Sequence, residues 1–290
     1  MRIVLTVSMC QFNTPIFIYY SYILVFILSI ITGLVILLKD KKHPMNRNAF
    51  YFIAIIALWI ANDFVQWTVY DLKINMFSAR ISYLANFVML FYLYFVYHFT
   101  YTPISQTKKI LLAIPLIISG LITLFSRFHF VISDFNPETC DYIPGINIYI
   151  TYVISIAYAY LATRILLKKY NDRTTSLFSK SQAKVLISAI WFFVIWNIIY
   201  EEIGRATYFS DSFIEISPHF IIGNLFFVSL IVVAIIRNNL FEFNNVLRSW
   251  FAIAIWSLIF FLMFLLLTSV HVFIICAAAY IALLIVFWKM

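Results

Sequence analysis

Charge is scarce in this chain, and so are the residues that interrupt helices. Only 11% of the 290 residues are Asp, Glu, Lys or Arg, far below the roughly one quarter of an ordinary soluble domain, which excludes a globular protein solvated by water. Gly and Pro number 5 and 7, so no linker marks off a second folded domain, and low-complexity tracts and tandem repeats are absent. The three cysteines, Cys10, Cys140 and Cys276, lack the spacing of a zinc site. There is no His-x-x-Glu-His or Glu-x-x-His array, no Gly-rich phosphate loop and no Ser/His/Asp grouping on one side of the membrane. His98, His129 and His271 show no pairing of the kind a metal site needs. The chain is therefore expected not to be an enzyme and to carry no metal or cofactor.

What is present is apolar surface. Hydrophobic residues make up 64% of the chain and aromatics 20%, with a mean hydropathy of +0.97. About 20 apolar residues span the hydrocarbon core as a helix, and about nine such windows follow one another, near 16–38, 49–70, 79–101, 109–126, 147–169, 182–205, 215–236, 249–267 and 271–288. The runs are continuous rather than alternating, which excludes a barrel. The expected fold is all-α: a polytopic membrane bundle of about nine spans.

Basic residues set the expected orientation, because Lys and Arg near span ends stay cytoplasmic. Lys39, Lys41, Lys42 and Arg47, then Lys108 and Lys109, then Arg164, Lys168, Lys169, Arg173, Lys180 and Lys184 occupy the first, third and fifth connections. The alternate connections carry Asp71, then Asp134, Glu138 and Asp141, then Asp211 and Glu215. This places the N-terminus outside and Lys289 inside. The net charge of +8 is then a topology signal whose partner is membrane lipid, not nucleic acid.

Residues 1–15 read as an extracytoplasmic tail, since the apolar run Ile3 to Met9 is too short for a signal peptide and Met9 is too bulky to precede a lipidated Cys10. Cys10 and Cys140 share the expected outer side, where a disulfide between them is conceivable, and two unpaired thiols are the preferred reading. Residues 16–243 form a seven-helix region, and 244–290 a two-helix hairpin closed by the tight turn Thr268 to His271. Arg127 to Asn147 reads as a hairpin-like cap, with Phe128 to Phe135 partly alternating and turns at Asn136-Pro137 and Pro144-Gly145. Tyr170 to Ser181 reads as a solvated basic loop.

Polar residues within spans are the candidates for specific chemistry, because each is costly to insert. Asp63 lies seven residues before Tyr70, about 10 Å below the outer boundary at 1.5 Å per residue. Trp59, Asp63, Gln66 and Tyr70 share one helical face, with Asn62 alongside. Arg80 and Asn86 enter with the third span, Asn197, Glu201 and Arg205 follow at i,i+4 spacing in the sixth, and Glu215 and His219 open the seventh. All fall in the outer half, where Trp59, Trp67, Tyr83 and Tyr200 would line a pocket for a small amphipathic ligand. The ligand-binding set is Trp59, Asp63, Gln66, Arg80, Tyr83, Asn197, Glu201 and His219. A purely structural reading stands beside it: Asp63 with Arg80 as an interhelical ion pair, Glu201 with Arg205 within one helix, and the aromatics as an interface belt. A transporter or channel component using Asp63 and Glu201 is the alternative function, although inverted repeats and Gly- or Pro-broken midplane spans are not visible.

The order of several short elements resembles the seven-span sensor region at the N-terminus of bacterial histidine kinases. These are Asn46-Arg47-Asn48-Ala49-Phe50 and Ala57-Leu58-Trp59 in span two, Ala79-Arg80-Ile81-Ser82-Tyr83 in span three, Lys180-Ser181-Gln182-Ala183-Lys184 before span six, and Ser217-Pro218-His219 and Ala234-Ile235-Ile236-Arg237 bounding span seven. Two further spans with an outside N-terminus are similar to the nine-span sensors of quorum-sensing hybrid kinases. The resemblance implies a receptor for a small amphipathic signal such as an acyl-homoserine lactone. Such kinases continue into a phospho-acceptor helix and an ATP-binding domain, whereas this sequence closes on Trp288-Lys289-Met290. Phosphate transfer would then belong to a separate or lost kinase.

Overall fold

The computed structural model describes residues 16–69, 72–126, 128–135, 142–172 and 177–208, together with Asn224, Phe227, Val228, Leu230 and Ile231. Eight α-helices follow in chain order: α1 Ile16–Lys39, α2 Pro44–Thr68, α3 Leu72–Ile81, α4 Phe87–Phe99, α5 Gln106–Phe125, α6 Phe128–Val131, α7 Asn147–Asn171 and α8 Leu177–Tyr208. Among the described residues, five helical stretches are long and apolar enough to cross a membrane: Pro44–Gln66, Met76–Phe99, Gln106–Phe125, Asn147–Asn171 and Lys180–Ile199. Val25–Lys39 is a shorter apolar helix. The molecule is thus a polytopic helical bundle. The tail 1–15, the windows 249–267 and 271–288, and all three cysteines lie outside the described residues.

Local chemistry explains where the helices begin. Pro44 occupies the first turn of α2, where its missing N–H costs nothing, and α2 starts five residues before the expected window. Ser105 caps α5 by accepting the Lys108 N–H at 3.2 Å. The expected loop at Tyr170 to Ser181 is largely helical, because α7 runs to Asn171 and α8 begins at Leu177. Basic side chains at helix ends reach water from a helical backbone, so their polarity does not require a loop.

The third span is not one continuous helix. Ser82–Asn86 forms a 3-10 segment between α3 and α4. The Asn86 amide donates to the Tyr83 carbonyl at 3.1 Å and the Ser82 hydroxyl to the Ser78 carbonyl at 3.2 Å. Such side-chain bonds compete with the regular ladder and tighten it locally.

α4 is the central helix. Val88, Met89, Leu90, Tyr92, Leu93, Phe95 and Val96 are all buried, covering its whole circumference, as an all-round apolar helix should be. It packs on α2 and α7, while α1 packs on α2 and α8 on α7. α5 is peripheral: Ile110, Leu111, Ile117, Ile118, Leu121 and Phe125 remain exposed, a lipid-facing stripe. At the end of the bundle opposite the lysines, β1 Ile132–Phe135 and β2 Tyr142–Pro144 pair antiparallel with a bulge between Ile132 and Asp134. This is the hairpin expected from the alternation and turn residues there. One helical turn, α6, precedes it in place of further strand.

Candidate functional site

The polar residues singled out in the sequence stand above an aromatic floor. Trp59 of α2 meets Phe193 of α8 edge-on, with centroids 6.2 Å apart. Phe193 contacts Phe227, which falls in the expected window 215–236, at 4.6 Å, and Phe227 reaches Phe52 at 6.3 Å and Tyr92 at 6.2 Å. Four spans therefore meet in one apolar layer of ring contacts.

Above that floor the residues of the α2 face fan out rather than converge. Asp63, one turn beyond Trp59, accepts a hydrogen bond from the hydroxyl of Tyr22, a buried residue of α1. Asn62 and Gln66 turn toward α3. The Asn62 amide donates to the Ser78 carbonyl at 3.0 Å and the Ser82 hydroxyl at 2.9 Å, the Ser78 hydroxyl donates back to Asn62 Oδ1 at 2.7 Å, and the Gln66 amide donates to Ser82 at 2.9 Å. The net effect is a polar clasp fixing α2 to the 3-10 segment. Asn86 extends it across the bundle by donating to Thr151 of α7 at 3.3 Å.

The interhelical ion pair expected between Asp63 and Arg80 does not form. The Arg80 guanidinium donates instead to the Leu124 carbonyl and, at 3.1 Å, to the Ser126 carbonyl. The physical reason is the end of α5, whose last carbonyls lack intrahelical donors and carry the negative end of the helix dipole. Tyr83 is buried against the same helix at Gly120, where a Cβ would lie 3.3 Å from the ring. Arg80 and Tyr83 thus sit toward α5, and Trp59 toward α8.

On α8, the Asn197 amide donates to the Phe193 carbonyl at 2.6 Å, leaving its Oδ1 buried and without a partner. Glu201 follows one turn later, half-buried. Glu202 accepts from the Tyr152 hydroxyl of α7 at 3.2 Å. His219 and the side chains of Trp67, Tyr200 and Arg205 lie outside the described residues.

Sequence reasoning missed four participants. Tyr22 gave no signal, since a tyrosine near a span end is ordinary. Ser78 and Ser82 were legible only as part of a helix. Asn224, 1% exposed with both amide atoms unpartnered, was legible as a lone amide in the apolar run after Phe220. Among the described residues no three His, Cys, Asp or Glu side chains gather to hold a metal. What the arrangement offers is hydrogen bonding beside an aromatic surface.

Residues 21–244 match the family model described as the N-terminal 7TM region of histidine kinase. The chain belongs to that family. The match covers most of its length, in agreement with the helical bundle and the apolar spans, and makes the protein a multi-pass sensor region of histidine-kinase type. No curated protein and no solved structure matches the chain.

Proposed function

We propose that this 7TM sensor region is a receptor that binds a small amphipathic ligand entering from the outer leaflet, and that it acts by repacking helices rather than by catalysis. The observation that carries the reading is the meeting of α2, α4 and α8 with Phe227 at Trp59, Tyr92 and Phe193, with polar groups of α2 and α8 one turn further along their helices. A ligand wedged there touches the spans that lead toward the end of the matched region. Occupancy shifts a packing equilibrium only when the ligand binds one arrangement more tightly, and a joint between four spans supplies such a difference.

In this proposal the lysine-rich end faces the cytoplasm of a bacterial cell, the protein lies in the inner membrane, and the signal passes to a kinase module that is separate from these spans. An acyl-homoserine lactone is one signal of suitable chemistry, having an acyl tail for the aromatic layer and a polar head for the amides. The transporter alternative gains no support from Asp63, whose carboxylate is engaged by Tyr22.

The test is retention of a ligand. Protein in nanodiscs is incubated with the lipid-soluble fraction of spent medium and washed, and bound small molecules are identified by mass spectrometry. The expected result is a molecule retained by wild type and by Phe125→Ala, but lost from Trp59→Ala and Asn197→Leu. Retention equal to that of empty nanodiscs, or unchanged across all variants including Asp63→Asn and Arg80→Ala, would remove the reading.

A further inference from the structure

α7 presents two unlike faces. Tyr158, Ala162 and Leu166, at successive i,i+4 positions, are buried toward the bundle. Tyr160, Arg164 and Lys168 each follow one of them by two residues, about 200° around the helix, and all three are exposed. Val153 and Ile156 continue that exposed face away from the basic end. Because Asn147–Asn171 is long and apolar enough to cross a membrane, the face meets lipid.

Two cations therefore stand on a lipid-facing surface, and the protein does not neutralise them. α7 contains no Asp or Glu, and among the described residues no carboxylate pairs with Arg164 or Lys168. The Arg164 guanidinium is flanked by the Tyr160 ring, 6.0 Å from its centroid, which leaves the N–H groups in need of oxygen acceptors. Arg164 lies seven residues, roughly 10 Å, from the end of α7 at Asn171. A long side chain at that depth reaches the headgroup boundary, and Lys168, one turn nearer the end, reaches it too. A phosphodiester brings two unesterified oxygens that match the guanidinium fork. The last carbonyls of α7 oppose an anion, but only over the final turn, where Lys168 and Lys169 stand.

The apolar part of the face has the matching length. Val153 to Arg164 covers roughly 16 Å of helix, about half the hydrocarbon thickness of a bilayer, which is the reach of one acyl chain. Lys41 and Lys42, exposed between α1 and α2, make a contrast. Beside them is Asp40, whose carboxylate accepts the Lys42 and His43 N–H groups, and they have no such apolar track.

We infer that this face of α7 holds an anionic phospholipid of the leaflet at the basic end, its phosphate between Arg164 and Lys168 and an acyl chain along Tyr160, Ile156 and Val153. A zwitterionic lipid carries its own ammonium, which competes for the phosphate, so phosphatidylglycerol is favoured over phosphatidylcholine. The receptor reading concerns a ligand entering from the other leaflet, and this site stands independently of it.

The experiment titrates the full chain in detergent with dioleoyl phosphatidylglycerol or dioleoyl phosphatidylcholine and reads bound lipid by native mass spectrometry. Wild type is expected to prefer phosphatidylglycerol, and Arg164→Gln with Lys168→Gln to weaken its binding about tenfold, to the level of phosphatidylcholine. Lys41→Gln with Lys42→Gln removes the same charge and is expected to change the affinity by less than about twofold. Equal losses from the two double variants would reveal attraction to the whole basic rim and overturn the α7 site. Equal affinity of wild type for the two lipids, or a preference that survives loss of Arg164 and Lys168, overturns it as well. Thermal unfolding without added lipid checks the fold of the variants, whose substituted side chains are exposed. If the α7 double variant melts below wild type, Arg164→Lys decides, since it keeps the charge and loses the fork: weakened phosphatidylglycerol binding supports the site, and unchanged binding overturns it.

Discussion

At the basic end of the bundle, the Lys108, Lys184 and Lys169 ammonium groups lie over the rings of Tyr97, Tyr170 and Tyr101 at 5.1, 5.3 and 5.8 Å from the centroids. At the opposite end, amides and hydroxyls bond from helix to helix: Asn62 to Ser78 and Ser82, Gln66 to Ser82, Asn86 to Thr151. Charge at the first end stays near water and is only guided by aromatic faces. Polar groups at the second end are set within the spans, and those of Asn62, Gln66 and Asn86 find partners on neighbouring elements. The difference teaches where the helices are fixed. A rim of charge can shift without disturbing the helices beneath it, whereas an internal layer of amides fixes one helix against the next.

The comparison can be broken most severely at the aromatic floor. Phe193→Ala removes the ring shared by Trp59 and Phe227 and is expected to cost about 3–5 kcal/mol, measured by reversible SDS unfolding in mixed micelles. Phe125→Ala, at a ring 82% exposed to lipid, is expected to stay within about 0.5 kcal/mol. Equal losses from the two would show that the layer is not a packed core.

Next in size is the clasp. Asn62→Leu removes the amide bonds to Ser78 and Ser82, while the two hydroxyls keep the Asn62 and Ser78 backbone carbonyls, and is expected to cost about 1 kcal/mol in the same assay. Cysteine pairs placed across α2 and α3 should also crosslink more slowly in that variant. An unchanged crosslinking rate would mean that apolar packing alone fixes the 3-10 segment. Arg80→Ala, which strips the donors from the end of α5, is expected to cost about 1 kcal/mol, with Arg80→Lys recovering part of it. If Asp63→Ala proved additive with Arg80→Ala in a double-mutant cycle, the absence of a pair between them would be supported independently.

The smallest effect belongs to the basic end. Lys169→Ala is expected to change stability by about 0.5 kcal/mol or less, and that change should shrink as salt rises from 0.05 to 0.5 M in the titration. A loss as large as that of Asn62→Leu would erase the distinction between the two ends.

Much of the architecture was legible because a bilayer imposes a length on every span. Gln106–Phe125 and Asn147–Asn171 fall close to the apolar windows, and the hairpin of Ile132–Phe135 with Tyr142–Pro144 was foreshadowed by alternation and Pro-Gly turns. The interruption at Ser82–Asn86 was not legible, since nothing in hydropathy separates a 3-10 turn from a helix there. The residues of the candidate site were visible one by one as polar side chains in apolar runs. Their partners were not, and Arg80 chose backbone carbonyls 44 and 46 residues away in sequence over the nearer carboxylate.

The sequence by itself determined that this chain lives in a membrane as a helical bundle of sensor type, because the apolar run lengths and the ordered family elements do not depend on which helix touches which. Tertiary structure alone decided the pairing of Asp63 with Tyr22, the turning of Arg80 toward α5, and the contact of Phe193 with Phe227. Hydrogen bonds and ring contacts are short-ranged, so a partner is settled only when packing brings two distant stretches of chain within about 3 Å, and the rotation of each helix about its own axis settles which of its faces arrives there.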